Sequence, residues 1–220
     1  MSGEVKQREP GLPENFEGLS QRDRLTWAMV RAVAEKGYDG VTVADVVARA
    51  GVSRTTFYDE FANKDECLFA SYDRIIEALI RYVEEAFRTE GEWPERIRSG
   101  LDAFLRALAA EPDVARMAAV EVPSAGPQAH QRYRDALSRF IPFFAEGREY
   151  SPRGDALPAN VELMAVGGAE VIIFDEVVAG RVSKLPSMLP EILFAVLVPY
   201  IGPDDAAVEM QRAGANHHPV

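Results

Sequence analysis

Residues 42–64 read TVADVVARAGVSRTTFYDEFANK. Thr42 and Asp45, three apart, have the spacing of a helix capping box. Val43, Val46, Val47 and Ala50 recur at helical intervals and make one apolar face. Gly51 supplies the backbone freedom for a sharp turn. Ser53 is a good N-cap for a second, short helix. In it Phe57 and Phe61, four apart, point inward beside Val52, which leaves Arg54, Thr55 and Tyr58 on the outward face. Two helices joined by a tight turn, the second showing polar and aromatic groups outward, are the plan of a helix-turn-helix.

The surrounding sequence supports that plan. Ser20 and Asp23 repeat the capping spacing and open a helix with an apolar stripe of Leu25, Met29, Ala32 and Val33, ended by Gly37, with a turn at Tyr38-Asp39-Gly40. Asn63 with Glu66 caps a long helix carrying Leu68, Phe69, Tyr72, Ile75, Ile76, Leu79, Val83 and Phe87 at helical spacing, punctuated by Gly91-Glu92-Trp93-Pro94. Beyond it every segment reads as helix. These are 94–110, a short helix after Pro112, 128–147 following the break at Gly126-Pro127, 158–180, and 185–201. A polar loop is expected over 148–157, and Gly202-Pro203 should stop the last helix. No strand alternation or internal repeat is apparent. The expectation is an all-α chain, divided into a flexible arm (1–18), a helix-turn-helix unit (19–65), a larger helical unit (66–203) and a partly disordered tail (204–220).

Composition narrows the function. The chain has 220 residues, 47% hydrophobic, and a net charge of −11. Residues 19–65 hold seven basic and seven acidic residues, 1–18 carry −2, and 66–220 therefore carry −9. A neutral head on an acidic body can bind DNA through a few well-placed contacts, weakly on non-specific DNA and with strong salt dependence. The single cysteine, Cys67, excludes an intramolecular disulfide, and the polar N-terminus has no signal-peptide h-region, so a cytoplasmic location is expected. The apolar stretches 161–180 and 187–202 are interrupted by acids or prolines, which argues against a membrane span of about 20 apolar residues. No P-loop, GxSxG or HExxH occurs, and two of the three histidines, His217 and His218, sit in the tail, so neither an enzyme nor a metal or cofactor site is expected.

Gly51-Val52-Ser53-Arg54-Thr55-Thr56-Phe57-Tyr58, with Phe61, Lys64-Asp65 and Leu68 behind and Gly37-Tyr38 and Thr42 ahead, resembles the TetR family of bacterial transcriptional regulators over about a fifth of the chain. The resemblance implies a three-helix N-terminal DNA-binding domain, a larger helical ligand-binding domain, and a homodimer joined by the last two helices. By family habit it implies a repressor that binds a palindromic operator and is released by an effector. A family member without an effector, architectural or partner-recruiting, is the alternative.

Residue by residue, Arg54 can donate two hydrogen bonds to guanine, and Thr55 can touch a thymine methyl or a phosphate. Thr56 and Tyr58 match family positions that contact backbone or base edges. Lys64, at a helix start, would clamp a phosphate, and Thr42 offers an amide and a hydroxyl to another; Thr42 and Ser53 are N-caps as well. Asp59 and Glu60 depart from the family pattern. Either they face away from DNA, the reading favoured here, or one accepts from a cytosine amino group.

Trp93, Phe104, Met117, Phe140, Phe143, Phe144, Met164 and Phe174 are candidates for the effector pocket, with the Phe140 cluster foremost. They suggest a hydrophobic or aromatic effector, such as a fatty acyl compound, a drug-like molecule or a metabolite. Arg106, Arg116 or Arg132 could pair with an anionic effector, Glu121 or Glu170 with a cationic one. The small residues Gly167 and Gly168, with Val171, Leu193 and Leu197, are candidates for the dimer interface, although close packing inside one subunit would use the same glycines.

Overall fold

The computed structural model describes residues 18–215. Residues 1–17, which are all but the last residue of the expected arm (1–18), and residues 216–220, His217 and His218 among them, lie outside the described residues. The described chain is helical, with no strand among the described residues.

Three short helices open it: α1 (Gln21–Lys36), α2 (Val43–Ala50) and α3 (Arg54–Glu60). Their ends are held as the sequence implies. Ser20 accepts from the Asp23 amide, Thr42 and Asp45 form a complete capping box, and Ser53 accepts from the Thr56 amide. Leu25, Met29, Val46, Ala50, Phe57 and Phe61 fill the space between them, none more than 1% exposed. The long helix α4 (Lys64–Phe87) starts against this head and runs into the body. Asn63 caps it, accepting from the Glu66 amide at 2.9 Å.

The body comprises α5 (Trp93–Ala110), α6 (Pro112–Arg116), a π-helical turn at Met117–Glu121, and α7 (Val122–Ser124). Then come α8 (Pro127–Ser138), α9 (Ile141–Tyr150), α10 (Val161–Val178) and α11 (Leu189–Ala215), with a 3-10 stretch at Val182–Met188. Pro123 explains the π turn. It has no N–H for the Ala119 carbonyl, so the ladder shifts register and the Val122 amide bonds Met117 instead.

Three sequence expectations need correction. The single helix over 128–147 is two, α8 and α9, because Pro142 has no N–H for the Ser138 carbonyl. The polar loop starts only after Tyr150. Residues 204–215, expected as a tail, are helical: Gly202 breaks the axis (φ 83°, ψ 167°) and Pro203 restarts it. Glu209 anchors that last segment, paired with Arg98 at 3.2 Å and Arg212 at 2.5 Å. Ala206 and Ala213 are buried beside it.

One stretch, 182–215, is long and apolar enough to cross a membrane by length and composition, where the sequence reading found none. Its apolar residues are partly spent inside the fold, where Leu189, Ile192, Leu193, Val196 and Leu197 are buried, and Gly202 interrupts it.

Candidate DNA-reading head and ligand cavity

Gly51 makes the turn between α2 and α3. Its backbone is left-handed (φ 62°, ψ 41°), and its carbonyl accepts from Arg24 Nη2 at 3.0 Å. The turn fixes α3 so that Phe57 is buried while Arg54, Thr55 and Tyr58 are exposed, Tyr58 by 50%. Thr56 is half-buried, and its hydroxyl lies 2.9 Å from that of Ser53.

The head's charges are mostly committed internally. Lys36 pairs with Asp45 at 2.6 Å, Arg49 with Glu35, and Arg22 with Glu60 at 3.5 Å; Arg24 is held by Gly51, and Arg31 is also engaged. Lys64 donates to the carbonyls of Tyr38 at 2.9 Å and Val41 at 3.0 Å and lies 4.0 Å from the Tyr38 ring centre. Among the described residues of the head, that leaves Arg54 as the exposed cation with no partner. The candidate contacts therefore separate. Arg54, Thr55 and Tyr58 are displayed. Lys64 ties the start of α4 to the α1–α2 turn. The Thr42 amide and hydroxyl both donate to the Asp45 carboxylate, at 2.9 and 2.7 Å, so neither stands open for a phosphate. Glu60 faces Arg22 on α1, and Asp59 stays exposed beside Tyr58.

In the body, α4, α5, α8, α9, α10 and the segment after Pro112 line a partly open cavity of about 130 Å³. One water needs roughly 10–15 Å³ by the same measure, so the space is ligand-sized rather than a packing fault. Phe104, Phe140, Phe143 and Phe144 line it. The α4 residues Tyr72, Ile76, Leu79, Val83 and Phe87 form a wall, and Ala115, Ala118 and Ala119 leave the room. Among the described residues the only acid in the lining is Glu170, which accepts from the Tyr133 hydroxyl.

The other pocket candidates lie elsewhere. Trp93 is 2% exposed and belongs to the core: its indole N–H donates to the Phe143 carbonyl at 3.0 Å and its ring meets Tyr200 edge-on at 4.9 Å. Met117 is fully buried outside the lining. Met164, 67% exposed, and Phe174, 37% exposed, point away from the cavity. They share an outward stripe of α10 with Gly168 and Val171, and no atom lies within 4 Å of where a side chain at Gly167 or Gly168 would begin. Helix α10 is apolar on nearly every side, so periodicity could not tell its inner from its outer face. Leu193 and Leu197, expected at the dimer interface, are fully buried in the subunit; Phe194, Ala195 and Val198 show on the outer side of α11.

Sequence reasoning did not find the bond that ties the α1–α2 turn to the body. The Tyr38 amide donates to Glu121 in the π turn at 3.0 Å, and Glu121 also pairs with Arg116 at 2.9 Å. The bulge-forming Pro123 was the available signal.

Residues 28–71 match the family described as bacterial regulatory proteins, tetR family. That match covers the helix-turn-helix head and the start of α4, about a fifth of the chain. The curated relatives the chain resembles are described as HTH-type transcriptional regulators. It is similar to the HTH-type transcriptional activator FasR of Mycolicibacterium smegmatis, 30% identical over 84 residues, which are 38% of each chain. That match therefore spans well under half of the activator. It is 25% identical over 172 residues to the HTH-type transcriptional regulator EthR of the same organism, covering 76% of this chain and 77% of that one. Among solved structures, the transcriptional regulator FadR of Bacillus subtilis, in complex with stearoyl-CoA, shares the fold with a TM-score of 0.69 at 17% identity, over 80% of this chain and 97% of that one.

Proposed function

We propose that this protein is a DNA-binding transcriptional regulator of the TetR family, a repressor that binds a palindromic operator as a homodimer and is released by a small hydrophobic effector. The carrying observation is the apolar cavity, one wall of which is α4, the helix that also begins against the DNA-reading head. Residues 19–65 act as the reader, with Arg54, Thr55, Thr56 and Tyr58 toward DNA and Ser53 capping α3. Residues 66–203, with α11 continuing to Ala215, act as sensor and dimerisation unit. The ligand-sized cavity favours this reading over a regulator without an effector. The stearoyl-CoA seen in the Bacillus subtilis regulator supports an apolar occupant.

The second subunit covers the outward stripe of α10. Leu163, Met164, Val171, Phe174 and Val178 are each at least 37% exposed there, an apolar surface that a lone monomer would leave to water. Effector binding then shifts the population toward dimers whose two α3 helices no longer match major grooves about 34–36 Å apart.

A thermal-shift screen of hydrophobic small molecules tests the reading, followed by gel shifts on the upstream region of the gene itself. A hit should raise the melting temperature and weaken the DNA complex. A hit that stabilises the protein and leaves DNA binding unchanged contradicts release.

A further inference from the structure

The cavity has a chemically one-sided interior. Apart from Glu170 and the hydroxyls of Tyr72 and Tyr133, its lining side chains are apolar, and among the described residues no Lys, Arg or His contributes to it. Glu170, on α10, accepts from the Tyr133 hydroxyl on α8 through Oε1, while Oε2 has no partner among the described residues. Both residues are half-buried. Burial first, and then the bond to Glu170, hold the Tyr133 phenol above its ordinary range, so it remains a proton-bearing donor committed to that carboxylate.

Such a site treats ligand head groups unequally. A carboxylate brought into the cavity meets a second carboxylate and no cation, and it loses its hydration without compensation. A hydroxyl, amide or ammonium group brings a proton that Glu170 Oε2 can accept, a charge-assisted bond beside an apolar lining.

We propose that the cavity takes an apolar molecule ending in a hydrogen-bond donor, which docks on Glu170, and that it rejects the free carboxylate of the same chain. This inference rests on the reading of the cavity as the effector site. The other candidate cations, Arg106, Arg116 and Arg132, do not change it. Arg106 is held by Asp102, Arg116 by Glu121 and Arg132 by Asp73, all outside the lining.

Isothermal titration of the full chain with 1-decanol, decylamine and decanoate, each below its aggregation concentration, tests it. The expected result is binding of decanol and decylamine at least ten times tighter than decanoate. Glu170→Gln should bring decylamine and decanoate within about threefold of each other. Ala119→Phe, which fills the cavity, should abolish binding of all three while the protein still melts cooperatively. Equal binding of the three ligands, or a preference unchanged in Glu170→Gln, overturns the head-group inference and leaves the cavity as an effector site. No binding by any of them, or binding untouched by Ala119→Phe, overturns the effector reading and this inference with it.

Discussion

The backbone N–H of Tyr38 donates to the carboxylate of Glu121 at 3.0 Å, across 83 residues of chain. Tyr38 lies in the turn between α1 and α2, and its carbonyl receives Lys64 from the start of α4. The turn is thus gripped by a residue of the body on one side and by the connecting helix on the other. Ala118 and Ala119, which line the cavity, belong to the same π turn as Glu121. A ligand that displaces this turn pulls directly on the head.

Glu121→Ala should therefore destabilise the fold by about 2 kcal/mol, because it strands a backbone donor and the Arg116 guanidinium. Glu121→Gln keeps an acceptor and should lose less. Calorimetric melting of the two variants checks the order; equal melting temperatures for wild type and Glu121→Ala would dismiss the grip.

Gly51→Ala should weaken the head. The position is left-handed, which costs a residue with a side chain about 1–2 kcal/mol, and a Cβ there would sit 2.9 Å from Arg24 Nη2. Amide exchange of residues 42–61 should accelerate in this variant, with the body unaffected. Unchanged protection would show that the turn tolerates a side chain.

Acid should loosen the same region. Lys36 first, and then Thr42, hold the Asp45 carboxylate below its ordinary range. A depressed carboxylate binds fewer protons when folded than when unfolded. Its contribution is therefore present above the ordinary value of about 4 and is lost as the pH falls below it. Urea unfolding between pH 7 and pH 3 should show a decline that is shallower in Asp45→Asn. Identical slopes would remove Asp45 from the account.

Cys67 should not react with a thiol reagent at pH 8 while the protein is folded. The side chain is fully buried, and burial pushes the thiol up to about 12. One equivalent should label promptly in guanidinium chloride. Rapid labelling of the native protein would show that the α1–α4 contact opens readily.

The head was legible because its signals are local. Ser20, Thr42, Ser53 and Asn63 each act within three residues of themselves, and Gly51 needs no distant partner. The Phe140 cluster was found for a related reason, since three phenylalanines exceed what one narrow stripe can bury. The remaining pocket and interface assignments depended on which side of an all-apolar helix meets another helix. Met164 and Leu193 show the ambiguity: both are apolar residues in apolar helices, yet one is 67% exposed and the other fully buried. The Tyr38–Glu121 and Tyr133–Glu170 bonds span 83 and 37 residues, separations that no local pattern encodes.

The most direct test of the account is a selection of random-sequence DNA duplexes on the wild-type protein and on Arg54→Ala, with Asp59→Ala as a control. Wild type and Asp59→Ala should enrich the same inverted repeat, with half-sites about one helical turn apart. Arg54→Ala should bind that repeat at least tenfold more weakly, in line with the roughly 1–3 kcal/mol of one bidentate base contact. Enrichment of no sequence by wild type, or equal binding of the repeat by Arg54→Ala, would contradict the claim that α3 reads DNA through its one unpaired cation.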